Sequence, residues 1–476
     1  MPINTPNYSA FNRQWSRIRD AIAGEDAVKL RAGEYLRRPD SMTAQDFAQY
    51  AKCATWFPAT GRALSGLVGS IFRKEPKLEV PDTKPLDDIT GSGTPFNVFA
   101  KGLTNEVLAM GRAGVLVDVD GDGSSYLARY NAESIINFRT VYFDGKQHLA
   151  MVVLREVREV PKPEDRFTLE TKERYRLLEL SRAEGKEGLI YTVSVYEKKA
   201  NTRYGEEFEL VEGPIVPTRR GKPLDFIPFT FFSPNDLGPT IEQSPILGLV
   251  DMNISHFRTT AELENSVWFA GSPQLVVSGR FAGGADEVPE FSVGSNRALV
   301  MEEGGKAEII QSEAESALRE AMEDKERRMA VLGARLLEPQ QSGNPEHHDS
   351  VALRHRGEDS ILANLSDTVS RGLTRCLETF YWWGGKESPK VSVKLNKDFI
   401  PAAMKPSEMI RLVEAWVNGG VGGKALFHQL QRGEQLPAEW TYDDYLKDLE
   451  MNGKAAMDLD FAFDDDDLNK DKKELN

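Results

Sequence analysis

The sequence predicts an α+β fold, mostly helical. Long stretches near 10–75, 244–269, 313–337, 350–383 and 406–450 carry apolar residues at helical spacing. Between 114 and 232 the apolar period falls to two, the period of strands. The 476 residues also exceed what one hydrophobic core sustains, about 250–300, so two or more domains are expected.

In residues 10–75, Trp15, Ile18 and Ile22 recur at helical spacing. Leu64, Leu67, Val68 and Ile71 lie along one face of Thr60–Phe72, and Pro39, Pro58 and Pro76 punctuate the run. Residues 77–95 read as a Pro/Gly/Asp loop, and Phe96–Met110 as an amphipathic helix. Val115–Val119, Leu149–Val160 and Tyr191–Glu197 read as strands with turns between them. Val211–Phe232, rich in Pro and aromatic residues, closes this mixed region.

Residues 244–269 predict a long helix with Leu247, Val250, Ile254, Phe257 and Leu263 as its apolar face. Ser244 suits its cap and Pro245 its first position, while Gly271 and Pro273 end it. Short strands are expected at Gln274–Ser278, Ala298–Met301 and Ala307–Ile310. Glu313–Leu337 predicts a second long helix with the narrow stripe Ala314, Leu318, Met322, Met329, Leu332 and Leu336. Its remaining surface is of mixed charge, which suits solvent or neighbouring copies. Pro339–Asp349 breaks it, and Ser350–Trp383 is a third long helix with possible kinks at Gly357 and Gly372. Val391–Leu395 reads as a lone strand, and 406–450 as a helical hairpin or bundle with Pro437 between its halves. The tail Met457–Asn476 holds eight acidic and three basic residues and reads as solvated and disordered. No fixed-period repeat is present, which argues against a solenoid.

Lys and Arg total 59 and Asp and Glu 74, a formal net charge of −15. That balance argues against a protein that coats nucleic acid by neutralising phosphates, but not against one that lets DNA pass. Cys53 and Cys376 are the two cysteines, which excludes a disulfide framework and a Cys-based zinc site and fits a reducing compartment. The first residues lack the apolar stretch of a secretory signal. The most apolar local run, Phe226–Pro234, is too short to span a membrane.

Few motifs carry chemistry. Asp118-Val-Asp-Gly-Asp-Gly123 opens like a calcium loop, but its twelfth position is Arg129 where a carboxylate is needed. A hairpin turn explains it better. Gly419–Ala425 resembles a phosphate loop, but Asn418 stands where Gly is required and Ala425 where Ser or Thr holds magnesium. A Gly-rich turn between helices is the better reading. Glu346, His347, His348, Asp349, His355 and Glu358 form the densest set of potential ligands, without HExxH spacing. Arg354 and Arg356, and Arg371 with Arg375, are cations of the third helix that suit solvent or light contact with a polyanion. Met322, Met329, Phe380, Trp382 and Trp383 read as core. No nucleophile, base and oxyanion donor assemble, so no catalytic residue, metal or cofactor is expected. A metal-dependent hydrolase or nuclease built on Asp118, Asp120, Asp122 or on His347, His348 and His355 is the alternative the residues offer.

Several segments then become informative together. Trp15, Ile18-Arg-Asp20, Gly24-Glu25, Ala27-Val-Lys29 and Tyr35-Leu36 come first, followed by Thr60-Gly-Arg-Ala-Leu-Ser-Gly-Leu-Val-Gly69 and Ile71-Phe-Arg-Lys74. Gly111-Arg-Ala-Gly-Val-Leu-Val-Asp118, Asp251-Met-Asn-Ile-Ser-His-Phe-Arg258 and Ala261-Glu-Leu-Glu264 complete the series. In this order, to about residue 450, the chain resembles the portal proteins of tailed bacteriophages, often catalogued only as a domain of unknown function.

The resemblance implies a portal-type fold and a part for each segment. Residues 1–240 would be the wing, 244–270 the first stem helix, 271–311 a small β clip and 312–338 the second stem helix. Residues 339–349 would be the tunnel loop, 350–383 a long kinked helix, 384–405 the return to the wing and 406–450 the crown, leaving 451–476 as an acidic tail. It implies a homo-oligomeric ring, typically dodecameric, at the capsid vertex of the virion, assembled in the host cytoplasm. Double-stranded DNA would pass through it. Its partners would be the terminase large subunit, head–tail adaptor proteins, and the major capsid and scaffolding proteins, with no membrane.

On this resemblance Gln340, Gln341, Ser342, Gly343, Asn344, His347, His348 and Arg354 would face DNA. Arg280, Phe281, Glu287, Phe291 and Arg297 would meet the motor or connector, and Glu315, Arg319, Glu323 and Arg327 neighbouring stems.

Overall fold

The computed structural model describes residues 5, 7–40, 42–162, 165–182, 188–198, 208–271, 274–278, 306–310, 315–335, 361–397, 399, 406–417, 419–433, 435–437 and 440–452. The chain divides into two compact units, Met1–Lys397 and Asp398–Asn476.

The first unit opens with five helices: α1 (Tyr8–Ala23), α2 (Glu25–Leu30), α3 (Ala32–Tyr35), α4 (Ala44–Cys53) and α5 (Ala59–Ile71). Of the positions predicted to point inward, Trp15, Ile18, Leu64, Leu67, Val68 and Ile71 are buried and Ile22 is half-buried. Helix α6 (Phe96–Met110) has the predicted bounds and ends on Gly111, whose φ of +71° is the left-handed conformation glycine adopts most easily. Trp15 donates from its indole N–H to the Met110 carbonyl over 2.9 Å, tying α1 to the end of α6.

Beyond Gly111 two antiparallel sheets form. Strands β2 (Ala113–Val119), β3 (Ser125–Asn131) and β11 (Phe229–Phe232) make a three-stranded sheet in the order β11-β2-β3. Strands β4 (Ile135–Phe143), β5 (Lys146–Lys162), β6 (Asp165–Arg182), β7 (Leu189–Lys198) and β8 (Phe208–Ile215) form a five-stranded meander in sequence order. The sequence reading took β3, β4 and β6 for turns between strands. β6 is paired on both sides, yet its Glu, Lys and Arg residues hide the alternation. Strands β9 (Thr218–Arg219) and β10 (Lys222–Pro223) close a small hairpin.

Two expectations are corrected near residue 390. The strand read as lone, β14 (Ser392–Lys394), pairs with β1 (Lys77–Glu79), which lies in the segment read as a loop. A partner more than 300 residues away leaves no local sequence signal. Gly372, read as a possible kink, lies inside α9 (Ile361–Trp383). A side chain there would stand 2.2 Å from the Phe232 ring, so Gly372 serves close packing of helix on sheet. Gly357 and the start of the predicted third helix lie outside the described residues. The buried face of α9 carries Leu362, Leu365, Val369, Leu373, Cys376 and Phe380 at helical spacing.

The second unit holds three helices, α10 (Pro406–Val417), α11 (Gly423–Arg432) and α12 (Tyr442–Asn452). The stretch read as a helical hairpin or bundle thus holds three helices: the Gly-rich stretch at 419–422 separates the first two, and Pro437 lies between the second and third. Phe427 is buried between Tyr442 and Tyr445, with ring centroids 5.7 and 5.4 Å away. Thr441 and Asp444 cap α12 reciprocally: the Asp444 N–H donates to Thr441 Oγ1 (3.2 Å) and the Thr441 N–H to Asp444 Oδ2 (2.9 Å).

Candidate functional site

The feature that organises the middle of the chain is a pair of long helices, α7 (Leu247–Gly271) and α8 (Glu315–Arg335). At about 1.5 Å per residue they are about 37 and 31 Å long. Helix α7 starts two residues later than Pro245 suggests. Ser244 nonetheless accepts from the Ile246 N–H and donates to the Ala109 carbonyl.

The first half of α7 is fixed to the helical layer. Asn253 accepts from the Thr60 N–H (3.1 Å) and hydroxyl (2.8 Å) and donates to the Phe57 carbonyl (2.9 Å). Arg258 Nε donates to the Tyr35 carbonyl (2.7 Å), and the Tyr50 hydroxyl to Glu262 (2.9 Å). Asn253 and Thr60 are fully buried, so their bonds engage groups that burial would otherwise leave unpaired.

Helix α8 lies antiparallel to α7. Glu326 reaches His256, while Met329, Ala330 and Gly333 join Leu249 around a cavity of about 430 Å³, so one index rises as the other falls. At the crossing, Lys325 Nζ donates to the Ser255 carbonyl (3.0 Å) and to the Thr259 hydroxyl. The hydroxyls of Thr259 and Thr260 also donate back to the carbonyls of Ser255 and His256, four residues earlier. His256 is buried, with Nε2 3.2 Å from Glu326 and its ring 5.4 Å from that of Phe57. Burial pulls its pKa below 6.5 against the opposing effect of Glu326, and Lys325 lowers it further, so the neutral imidazole is favoured. Burial also lowers the pKa of Lys325.

Beyond the helix pair, β12 (Gln274–Ser278) and β13 (Lys306–Ile310) form an antiparallel ladder. Both were expected as strands; the third strand expected at 298–301 lies outside the described residues.

The sequence-derived site residues divide as follows. Arg319, Glu323 and Arg327 sit one turn apart on an exposed flank of α8, a stripe of alternating charge, and Glu315 is the first residue of that helix. Arg280, Phe281, Glu287, Phe291 and Arg297 lie outside the described residues. So do Gln340, Gln341, Ser342, Gly343, Asn344, His347, His348 and Arg354, with the rest of the 346–358 ligand cluster. Arg371 and Arg375 are both exposed on α9, and Arg371 donates to Thr368.

The Asp118–Gly123 segment is the turn between β2 and β3. Asp120 Oδ1 accepts from the N–H groups of Asp122 (3.0 Å) and Ser124 (2.8 Å), the Asx-turn pattern. Asp118 is raised in pKa by burial and accepts from the Val119 N–H and the Tyr126 hydroxyl. Among the described residues, no three His, Cys, Asp or Glu side chains converge to hold a metal.

Two buried charge sites escaped sequence reasoning. Arg19 bridges Glu106 and Glu133, and the buried Glu106 also accepts from the Ala132 N–H. Arg112, 1% exposed, lies between the Phe138 and Phe231 rings, which face it at 5.6 and 5.4 Å. Burial lowers its pKa to about 10. Nothing local distinguishes these arginines from surface ones, because their partners come from distant parts of the chain.

Comparisons with known proteins fall on this part of the chain. The model of a domain of unknown function (DUF4055) matches residues 245–384, which run from the start of α7 to just beyond α9. No curated protein matches the chain. Among solved structures, a chain in the neck of an empty gene transfer agent (GTA) particle, with C6 symmetry, is 11% identical, with 83% of this chain and 93% of that one covered and a TM-score of 0.36. A chain in the neck of the native particle, with C12 symmetry, is 11% identical, with 82% and 92% covered and a TM-score of 0.37. A chain in the virion of the native particle is 12% identical, with 81% and 92% covered and a TM-score of 0.38.

Proposed function

We propose that this chain is the subunit of a portal-type ring in a tailed-phage-like particle, a structural protein through which double-stranded DNA is packaged and released. The observation that carries the reading is the antiparallel pair α7/α8, with the β12/β13 ladder following one helix and preceding the other. In this reading α7 and α8 are the stem and the strands between them belong to the clip. α9 leads back into the wing, residues 339–349 form the tunnel loop, and α10–α12 form the crown. The clip meets the terminase large subunit during packaging and adaptor proteins afterwards, while capsid and scaffolding proteins surround the ring.

The chemistry supports passage rather than grip. Proteins that hold duplex DNA neutralise phosphates with many cations and release counterions. Gln340–Asn344 contains no charged residue, and the chain is acidic. The charge-alternating flank of α8 suits contact with a neighbouring stem in a head-to-tail ring, where one surface meets a different surface of the next copy. The hydrolase alternative gains no observation, since Asp118 and Asp120 are engaged in strand and turn hydrogen bonds. Light scattering on the purified chain tests the proposal: a mass many times 53.2 kDa is expected, and a monomer at high concentration contradicts it.

A further inference from the structure

The five-stranded sheet carries a second, unassigned surface. Strand β4 stops pairing with β5 at Leu154, and β7 pairs with β6 no further than Arg174. Beyond these points β5 and β6 continue, among the described residues, as a two-stranded ribbon in unbroken register from Glu156/Arg174 to Pro161/Leu169. Directly opposed residues share a face. One face of the ribbon carries Val157 and Leu169, 58% and 53% exposed, beside Glu159, Thr171 and Glu173. The other carries Glu156, Arg158, Val160, Glu170, Lys172 and Arg174. A two-stranded ribbon is marginal by itself, and this one exposes large apolar side chains to solvent.

Its charged face contains an unfavourable pair: Arg158 stands directly opposite Lys172. At the far edge of the same sheet the reverse occurs, with Glu197 directly opposite Glu209 on β8. The register places both pairs on one face, because Glu156, Arg174, Glu197 and Glu209 follow one another across the strands. On the other face, Leu210 of β8 is 45% exposed. Lys172 and Glu197 are paired within the chain, with Glu170 (3.9 Å) and Arg174 (2.6 Å). Each edge therefore carries an exposed apolar residue on one face, Val157 or Leu210, and a charge of opposite sign on the other, Arg158 or Glu209.

We infer that the outer edge of the β5/β6 ribbon docks on the β8 edge of a second copy of this chain, antiparallel, with Val157 beside Leu210 and Arg158 beside Glu209. Antiparallel alignment satisfies both faces at once, whereas parallel alignment of Val157 with Leu210 would set Glu156 beside Glu209. Pairing of β8 with another β8 would bring Glu209 against acids of its own kind. The β4 edge is a poorer mate, because the Thr5 N–H already donates to the Ile136 carbonyl there. The two edges differ, so the contact is head-to-tail, as a ring requires. The inference therefore rests on the proposed ring.

The test is cross-linking of the full chain carrying Val157→Cys and Leu210→Cys, with the exposed Cys53 replaced by Ser. Opposed strand residues bring Cβ atoms within disulfide range. Mild oxidation should give a ladder of covalent oligomers on a non-reducing gel. Each single-cysteine variant should give none. Rings that form without a ladder overturn this inference and leave the ring proposal standing. Dimers from Leu210→Cys alone overturn it in favour of β8–β8 pairing. A chain that does not oligomerise overturns both proposals. As a second arm, Arg158→Glu should reduce assembly and Glu209→Lys in the same chain should restore it; a loss that the second change does not recover contradicts the pairing.

Discussion

At the scale of single residues, the positions that matter most are those where space or charge is tight. Gly372 lies in the interior of α9, where alanine would ordinarily gain about 1 kcal/mol of helix stability. The Phe232 ring occupies the space a Cβ needs, so overpacking costing about 1–3 kcal/mol outweighs that gain. Gly372→Ala should therefore lower the melting temperature, and a second change of Phe232→Leu should recover part of the loss; a more stable single variant would refute the packing account. The Asp118–Gly123 turn was legible in sequence because Asx turns depend on neighbours within two to four residues. Arg19, Glu106 and Arg112 were not, because their burial is decided by residues 20 to 130 positions away.

At the scale of elements, long helices with one apolar stripe were read almost to their ends. α6 was matched at both termini and α8 within two residues of its predicted bounds. Strands fared according to burial. β2 and β7 carry enough inward apolar residues to show the two-residue period, whereas much of β6 lies in the exposed ribbon and shows charge instead. The pairing of α7 with α8 has a testable pH dependence. His256 has a pKa below 6.5 in the fold because of burial, and about 6.5 when unfolded. Below that value the unfolded chain binds more protons. The stabilisation is thus complete above about pH 6.5 and is lost as pH falls through the lowered folded value. Glu326 opposes this loss and Lys325 adds to it. Relative to its intrinsic rate at each pH, amide exchange in α7 and α8 should accelerate more between about pH 7.5 and pH 5.5 in the native chain than in His256→Gln. Equal acceleration in both would assign the effect to other groups.

At the scale of the whole molecule, the chain divides into two compact units, the first of which holds the helix pair. The −15 charge argues against nucleic-acid coating. Five of those charges belong to Met457–Asn476, leaving a mildly acidic body, which under the proposed function suits DNA that must slide. Deleting Gln340–Asn344 should leave assembly intact and impair packaging or retention of DNA; normal packaging would dismiss the tunnel-loop assignment. The proposed contacts between copies were legible only indirectly, because a single chain offers for them only exposed surface: the alternating stripe on α8, Val157 and Arg158 on the β5/β6 ribbon, and Leu210 and Glu209 on β8. Electron cryomicroscopy of the purified full chain tests the central claim most directly. The account predicts closed rings of many identical copies around a central channel wide enough for duplex DNA. Particles that remain single chains, or that associate only as closed dimers without a channel, would contradict it.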